Sequence, residues 1–140
     1  SLDLITGEGI AIDLPGHGLS DPWPGEPPTD WAAWQAVIDA VAAHLGVSSI
    51  AHDPLQPGDA ALLFPDLTPD RYGHHLVTAW ANVRAGHVFA PHYAIDIAHA
   101  GPIDPDAMAP DRLAVEHLAL IRAGAAARAL HLARQAGSIA

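Results

Sequence analysis

The chain has 140 residues, half of them apolar, and its sixteen acidic residues outnumber six basic ones, giving a formal net charge of −10 with histidine neutral. This composition is typical of one globular domain, and the acidic charge argues against a nucleic-acid partner because phosphates would be repelled. The lack of cysteine excludes disulfides, thiolate nucleophiles and cysteine-ligated zinc.

The first predicted element is a short buried strand over residues 9–12, GIAI, because β-branched residues favour extended chain. A turn follows at residues 13–21, DLPGHGLSD, in which Gly16 and Gly18 suit positive φ values. Four prolines then make residues 20–29 a loop. Within this loop, Trp23 either packs over the core or offers an exposed interaction surface.

Regular apolar periodicity predicts a first helix over residues 30–45. Thr29 or Asp30 would cap its amino terminus, and Gly46 would stop it. Its apolar residues recur at helical spacing and form one inward face: Trp31, Trp34, Val37, Ile38, Val41 and Leu45.

Residues 47–69 are predicted to be irregular, with at most a brief strand or helical turn at residues 60–64. The sequence Thr68-Pro69-Asp70 then predicts the start of a second helix, which Gly86 ends. Its inward stripe contains Tyr72, Leu76, Trp80 and Val83. Because Pro91 interrupts residues 87–101, that segment is either extended chain or broken helix.

Ala109-Pro110-Asp111 predicts the start of a third helix, with Leu113, Leu120 and Ile121 facing inward. Gly124 is a point at which this helix could divide from a final alanine-rich helix over residues 125–135. Three arginines in this region, at six-residue intervals, do not make one face: Arg122, Arg128 and Arg134.

Residues 11–21, AIDLPGHGLSD, resemble the segment after an early central strand in the α/β-hydrolase family. Residues 29–46 resemble the helix that follows that turn, and residues 63–93 are similar to the helical cap over the active site. The resemblance implies a truncated or internally deleted α/β-hydrolase-like fold, predominantly α-helical with one or two short strands. It also implies a partial core at residues 1–50, an irregular linker at 51–68 and a helical cap-like region at 69–140.

The resemblance implies that the parent enzyme hydrolyses a small apolar ester, epoxide, halide or C–C bond substrate. The turn residues shape the family's turn rather than react: Asp13, Gly16, His17, Gly18, Ser20 and Asp21. Two catalytic alternatives stay open, with Asp13 and His17 as a base and its orienter, or Ser20 and Asp21 as nucleophile and acid. The cap-like aromatics Trp80, Phe89 and Tyr93 line a pocket or form plain core.

The family's nucleophile elbow, G-x-S-x-G, does not occur in this sequence, and residues 46–50 come nearest without the second glycine. The acid and histidine that follow the family's cap are also missing. We therefore expect the chain alone to be inactive, with a small-molecule substrate only for a complete parent enzyme. The alternative is a non-catalytic helical module that self-associates as a homo-oligomer, because a lone strand leaves backbone groups unpaired.

The ten histidines are possible metal ligands. The side chains of His74 and His75 point about 100° apart around a helix axis, so they do not readily bind the same ion. His87, His92 and His99 are irregularly spaced, and His117 lacks a partner histidine at a metal-binding offset. We therefore predict no metal and no cofactor.

The longest apolar runs are far shorter than the roughly 20 residues that span a bilayer, so we expect no membrane segment. The first residues, SLDLITGEG, carry neither the basic nor the apolar region of a secretory signal. A cytoplasmic location is the expectation.

Overall fold

The computed structural model describes residues 10–47, 55 and 58–137. Within them lie four helices: α1 (Trp31–Leu45), α2 (Ala60–Leu63), α3 (His74–Gly86) and α4 (Pro110–Gly137). None of the described helices combines the length and apolar character that a bilayer crossing requires. Turns and loops make up most of the remaining described residues.

The described residues contain no β-sheet, so the predicted α/β-hydrolase-like fold is wrong, although the expectation of a mainly helical chain agrees with the structure. Residues 10–12, predicted as a buried strand, form none, and Ile10 and Ile12 are 63% and 40% exposed. Gly9 lies outside the described residues. β-branched residues favour extended chain, but a strand also needs a neighbour for its backbone groups. Among the residues that the structure describes, no neighbouring strand is present.

The predicted limits of α1 are confirmed. The Asp30 carboxylate caps the first turn by accepting a hydrogen bond from the backbone N–H two residues later, at 3.2 Å. Gly46 ends the helix in the left-handed region, with φ +67°. The predicted inward face is shorter than expected, because Trp34 and Ile38 are buried while Leu45 is exposed.

α2 is a single helical turn, one of the two forms predicted for residues 60–64. Its start is fixed by the Asp59 carboxylate, which accepts a hydrogen bond from the Ala61 N–H at 2.7 Å. The turn buries Ala60 and Leu63.

α3 begins at His74, four residues later than Asp70, where the sequence predicted its first turn. Gly73 adopts φ +75°, which breaks helical geometry just before the helix. The Asp70 carboxylate instead accepts the N–H groups of Tyr72 and His74 at 2.7 and 3.2 Å. Although burial raises the pKa of Asp70, these backbone donors hold it below its ordinary value.

The face that α3 buries also differs from the predicted stripe. Ala79 is fully buried, whereas Leu76 is exposed and Tyr72 is exposed outside the helix. The helix ends at Gly86, as predicted. After it, an isolated antiparallel bridge joins Phe89 to Ala100, so residues 87–101 follow the extended alternative at this point.

α4 is the element on which the other helices pack, since α1, α2 and α3 each contact it and not one another. It starts at Pro110 as predicted, and Gly124 interrupts it with φ +16° and ψ −97°. The main core cluster lies on its carboxyl-terminal half, where Trp34 of α1 covers a stripe of alanines: Ala126, Ala129 and Ala133. Around this cluster pack Leu14, Trp23, Trp31 and Leu130.

Candidate functional site

The 13–21 turn is closed by hydrogen bonds among its own residues. The Asp13 carboxylate accepts the Leu19 N–H at 3.0 Å, and the Asp13 carbonyl accepts the Ser20 hydroxyl at 2.6 Å. The Gly16 N–H donates to the Asp21 carbonyl at 2.9 Å. These bonds fix the turn without a strand on either side.

Two glycines are required in this turn for both backbone and steric reasons. Gly16 and Gly18 have φ values of +79° and +51°, the positive values expected from the sequence. A Cβ at Gly18 would collide with the Asp13 carboxylate, and a Cβ at Gly16 would lie 2.7 Å from the Cβ of Ala126. The turn therefore packs directly against α4.

The geometry of the turn supports neither of the two catalytic alternatives. The Ser20 hydroxyl donates to a backbone carbonyl, and within the described part of the chain no histidine nitrogen bonds to it. His17 Nδ1 donates to the Pro15 carbonyl at 3.2 Å, while the Asp13 carboxylate accepts from the Leu19 N–H. A nucleophile needs a base within hydrogen-bond reach, and Ser20 has a carbonyl there instead.

A shallow open groove of about 320 Å³ lies between the turn and α4. It is lined by Gly16, Gly18, Leu19, Ser20, Pro22 and Arg122. Arg122 is the single charged residue of this lining, and the rest is mostly apolar. The groove resembles a surface depression more than an enclosed substrate pocket, which normally buries most of its ligand.

The three aromatics predicted to line a pocket contact different neighbours. Trp80 of α3 faces α4, where its ring lies edge-on to His117 at 5.5 Å. Phe89 sits at the isolated bridge, and the Tyr93 hydroxyl approaches Gly58, where an added Cβ would lie 2.6 Å away. All three are half-buried, and their pocket role stays a prediction.

Several histidines link separate elements. His87 Nε2 lies 2.7 Å from the Glu116 carboxylate, and His117 donates to the Leu76 carbonyl at 3.0 Å, so both join α3 or its end to α4. His92 donates to the Leu62 carbonyl of α2 at 3.1 Å. Burial lowers the pKa of His92, while that hydrogen bond partly opposes the shift.

Other histidine pairs are local. His74 lies 3.1 Å from Asp70, and His99 lies 2.8 Å from Asp96, whose pKa is lowered by that hydrogen bond. In the residues that the structure describes, no group of three or more histidine and carboxylate side chains is arranged to hold a metal ion. His131 is buried beside Phe64 at 5.3 Å, and its Nε2 has no hydrogen-bond partner there.

The described surface carries more large apolar side chains than the core does. Ten apolar residues are buried and six of them are alanine, which leaves Trp34, Ile38, Leu63 and Leu113 as the larger ones. Fourteen large apolar residues are exposed over the same part of the chain. Eight of them lie on α3, on α4, in the 13–21 turn or in the loop between α3 and α4. The other six are Ile10, Ile12, Leu45, Val47, Leu62 and Tyr72.

One exposed stripe follows the amino-terminal half of α4. We call it the outer face of α4, and all its members are exposed: Asp111, Ala114, Val115, Leu118, Ala119 and Arg122. Val115 and Leu118 at its centre are 67% and 56% exposed. At 3.6 residues per turn, this stripe lies opposite the side of the helix that carries Leu113.

The sequence prediction missed the outer face of α4. Asp111 was assigned only to the helix start, and Arg122 was grouped with more distant arginines. The signal was present in the spacing, since positions 111, 115, 118 and 122 recur every three or four residues and so share one side of a helix.

Comparison of the chain with models of protein families, with curated proteins and with solved structures gives no match. The resemblance to the α/β-hydrolase family is therefore wrong on two grounds, since the described residues also lack the sheet on which that family is built. What the chain does must be inferred from its own residues and contacts.

Proposed function

We propose that this protein is a non-catalytic helical module that self-associates through its exposed apolar surface. The observation that carries the proposal is that fourteen large apolar side chains are exposed while four are buried among the described residues. Full burial of one such side chain contributes about 1.5–3 kcal/mol. Pairing with a second copy supplies the surface against which some of them can be buried.

A second copy is the partner that this composition favours. The net charge of −10 opposes binding to phosphate backbones and to anionic membrane surfaces. Because the two copies also repel each other, apolar burial must outweigh that repulsion.

Hydrolysis is not part of the proposal. That activity, its small-molecule substrate and the helical cap over its active site were implied by the family resemblance alone. The hydroxyl of Ser20, the serine considered as nucleophile, donates a hydrogen bond to the Asp13 carbonyl. We also propose a cytoplasmic location, with which a chain that cannot form disulfides is compatible.

Sedimentation velocity over a series of protein concentrations tests the proposal. We expect one boundary that shifts, as concentration rises, from the 14.6 kDa of one chain toward twice that mass. Circular dichroism at the same concentrations checks that the chain is folded throughout. A folded monomer at every concentration contradicts the proposal, and so does a continuous spread of large species, which indicates non-specific aggregation.

A further inference from the structure

We infer that the second copy docks on the outer face of α4, with the two helices antiparallel and Asp111 of each copy paired with the partner's Arg122. The inference rests on the proposed self-association and specifies its surface and orientation. It follows from the order of residues along the outer face, the exposure of those residues and the positions of their charges.

The outer face of α4 has the arrangement of a helix-pairing seam. Val115 and Leu118 form its apolar centre, and Asp111 and Arg122 stand one turn beyond them on either side. The spacing of four, three and four residues is that of the apolar seam in paired helices. Ala114 and Ala119 flank the centre, and their small side chains permit close approach of a second helix.

The seam is complementary to itself in one orientation. An antiparallel copy, related by a two-fold axis that passes between positions 116 and 117, sets Val115 against the partner's Leu118. The same axis sets Asp111 against the partner's Arg122, and the symmetry repeats both contacts. A parallel pairing would instead set Asp111 against the partner's Asp111, which like-charge repulsion disfavours.

Both charges are available for such a contact. Asp111 and Arg122 are exposed, and neither forms an ion pair with another residue of the described chain. Arg122 also lines the groove beside the 13–21 turn, together with Leu19, which is 90% exposed. The end of the seam at Arg122 therefore borders the 13–21 turn.

Charge reversal tests the proposed pairing. Asp111→Arg and Arg122→Asp, each alone, set like charges against each other twice in the dimer, and we expect each to raise the dimer dissociation constant about tenfold or more. The double variant Asp111→Arg/Arg122→Asp restores both pairs and is expected to return the constant close to that of the original chain. Arg112→Asp is the matched control for Arg122→Asp, because it makes the same charge change at an exposed position beside the seam.

The outcomes separate the two proposals. If the unaltered chain remains a monomer, both the proposed function and this inference fail. If it dimerises and the single reversals have no more effect than Arg112→Asp, or the double variant is not rescued, only the inference is overturned. Circular dichroism of each variant shows whether a loss of dimer reflects unfolding.

Cross-linking tests the orientation without changing charge. The absence of cysteine from the sequence allows Val115→Cys and Leu118→Cys to be made as single-thiol chains. The two variants are mixed and treated with a short bis-maleimide reagent. Cross-links between position 115 of one chain and position 118 of the other are expected to form several-fold faster than cross-links between two copies of the same variant. A preference for the two homotypic products indicates a parallel pairing and overturns the inference.

Discussion

Gly16 of the 13–21 turn lies so close to Ala126 of α4 that a Cβ on the glycine would stand 2.7 Å from the alanine Cβ. Through this contact the turn packs against the carboxyl-terminal half of α4, beside the core cluster that Trp34 forms with the alanines of α4. The turn thus has a structural role in holding the amino-terminal segment on the helix.

We expect Gly16→Ala to lower the free energy of unfolding by about 2–4 kcal/mol. The positive φ accounts for about 1–2 kcal/mol of this, and the clash with Ala126 accounts for the remainder. Gly46→Ala is the control, because Gly46 has φ +67° and open space around an added Cβ. Urea unfolding measures both variants, and equal losses would show that the contact with Ala126 contributes nothing.

Trp34 is the one large side chain that is fully buried among the described residues. Its Nε1–H donates to the Pro28 carbonyl at 2.7 Å, and its ring lies edge-on to Trp23 at 5.0 Å. We expect Trp34→Ala to cost about 3–5 kcal/mol, which is a large part of the stability of an ordinary domain. Thermal unfolding followed by circular dichroism measures the loss.

The control for Trp34 is Val77→Ala on α3, where the valine side chain is mostly exposed. That substitution is expected to change the free energy of unfolding by no more than about 0.5 kcal/mol. If Trp34→Ala destabilises the protein no more than this control does, the packing of α1 on α4 is not the main core.

His92 is expected to make stability depend on pH. Its pKa is lower in the folded chain than its ordinary value of 6.5, because the ring is partly buried. As the pH falls below about 6.5, the unfolded chain therefore binds more protons than the folded one, and the free energy of unfolding decreases. Well above that pH the His92 ring is uncharged in both the folded and the unfolded chain, so it adds no pH dependence.

The variant His92→Gln is expected to lack this part of the pH dependence. Urea titrations at a series of pH values from neutral to mildly acidic should show the original chain losing stability relative to the variant. His44→Gln, at the exposed last turn of α1, serves as the control. If the curves for the original chain and His92→Gln run parallel, the burial of His92 has no effect on its titration.

Ser20 is expected to have no role in ester hydrolysis, because its hydroxyl is bonded to the Asp13 carbonyl. The original chain and Ser20→Ala should release p-nitrophenol from p-nitrophenyl acetate at the same rate. A control with free histidine at matched concentration accounts for hydrolysis by exposed imidazoles. Turnover that disappears in Ser20→Ala would disprove the non-catalytic proposal.

The sequence predicted those parts of the fold that depend on local interactions. The limits of α1 follow from Asp30 and Gly46, and the start of α4 follows from Pro110, because capping and φ restriction act within one turn. The start of α3 was misplaced because the sequence Thr68-Pro69-Asp70 favours a helix, whereas Gly73 adopts a positive φ a few residues later.

The predicted strand and sheet were wrong because a strand depends on a partner distant in the sequence, which residues 10–12 alone do not specify. In the candidate site, the positive φ values of Gly16 and Gly18 followed from the turn sequence. The exposure of Val115 and Leu118 did not, because apolar periodicity marks core and interface residues alike. Only the packing of α4 against the other helices distinguishes its two sides.

Native mass spectrometry of a mixture of unlabelled and ¹⁵N-labelled chains tests self-association most directly. If the chain pairs with itself, the two forms should exchange and give a mixed dimer in about twice the amount of either pure dimer, as expected for random pairing of equal amounts. Monomers alone, at concentrations where the chain is folded, would contradict the proposal that the exposed apolar surface is covered by a second copy.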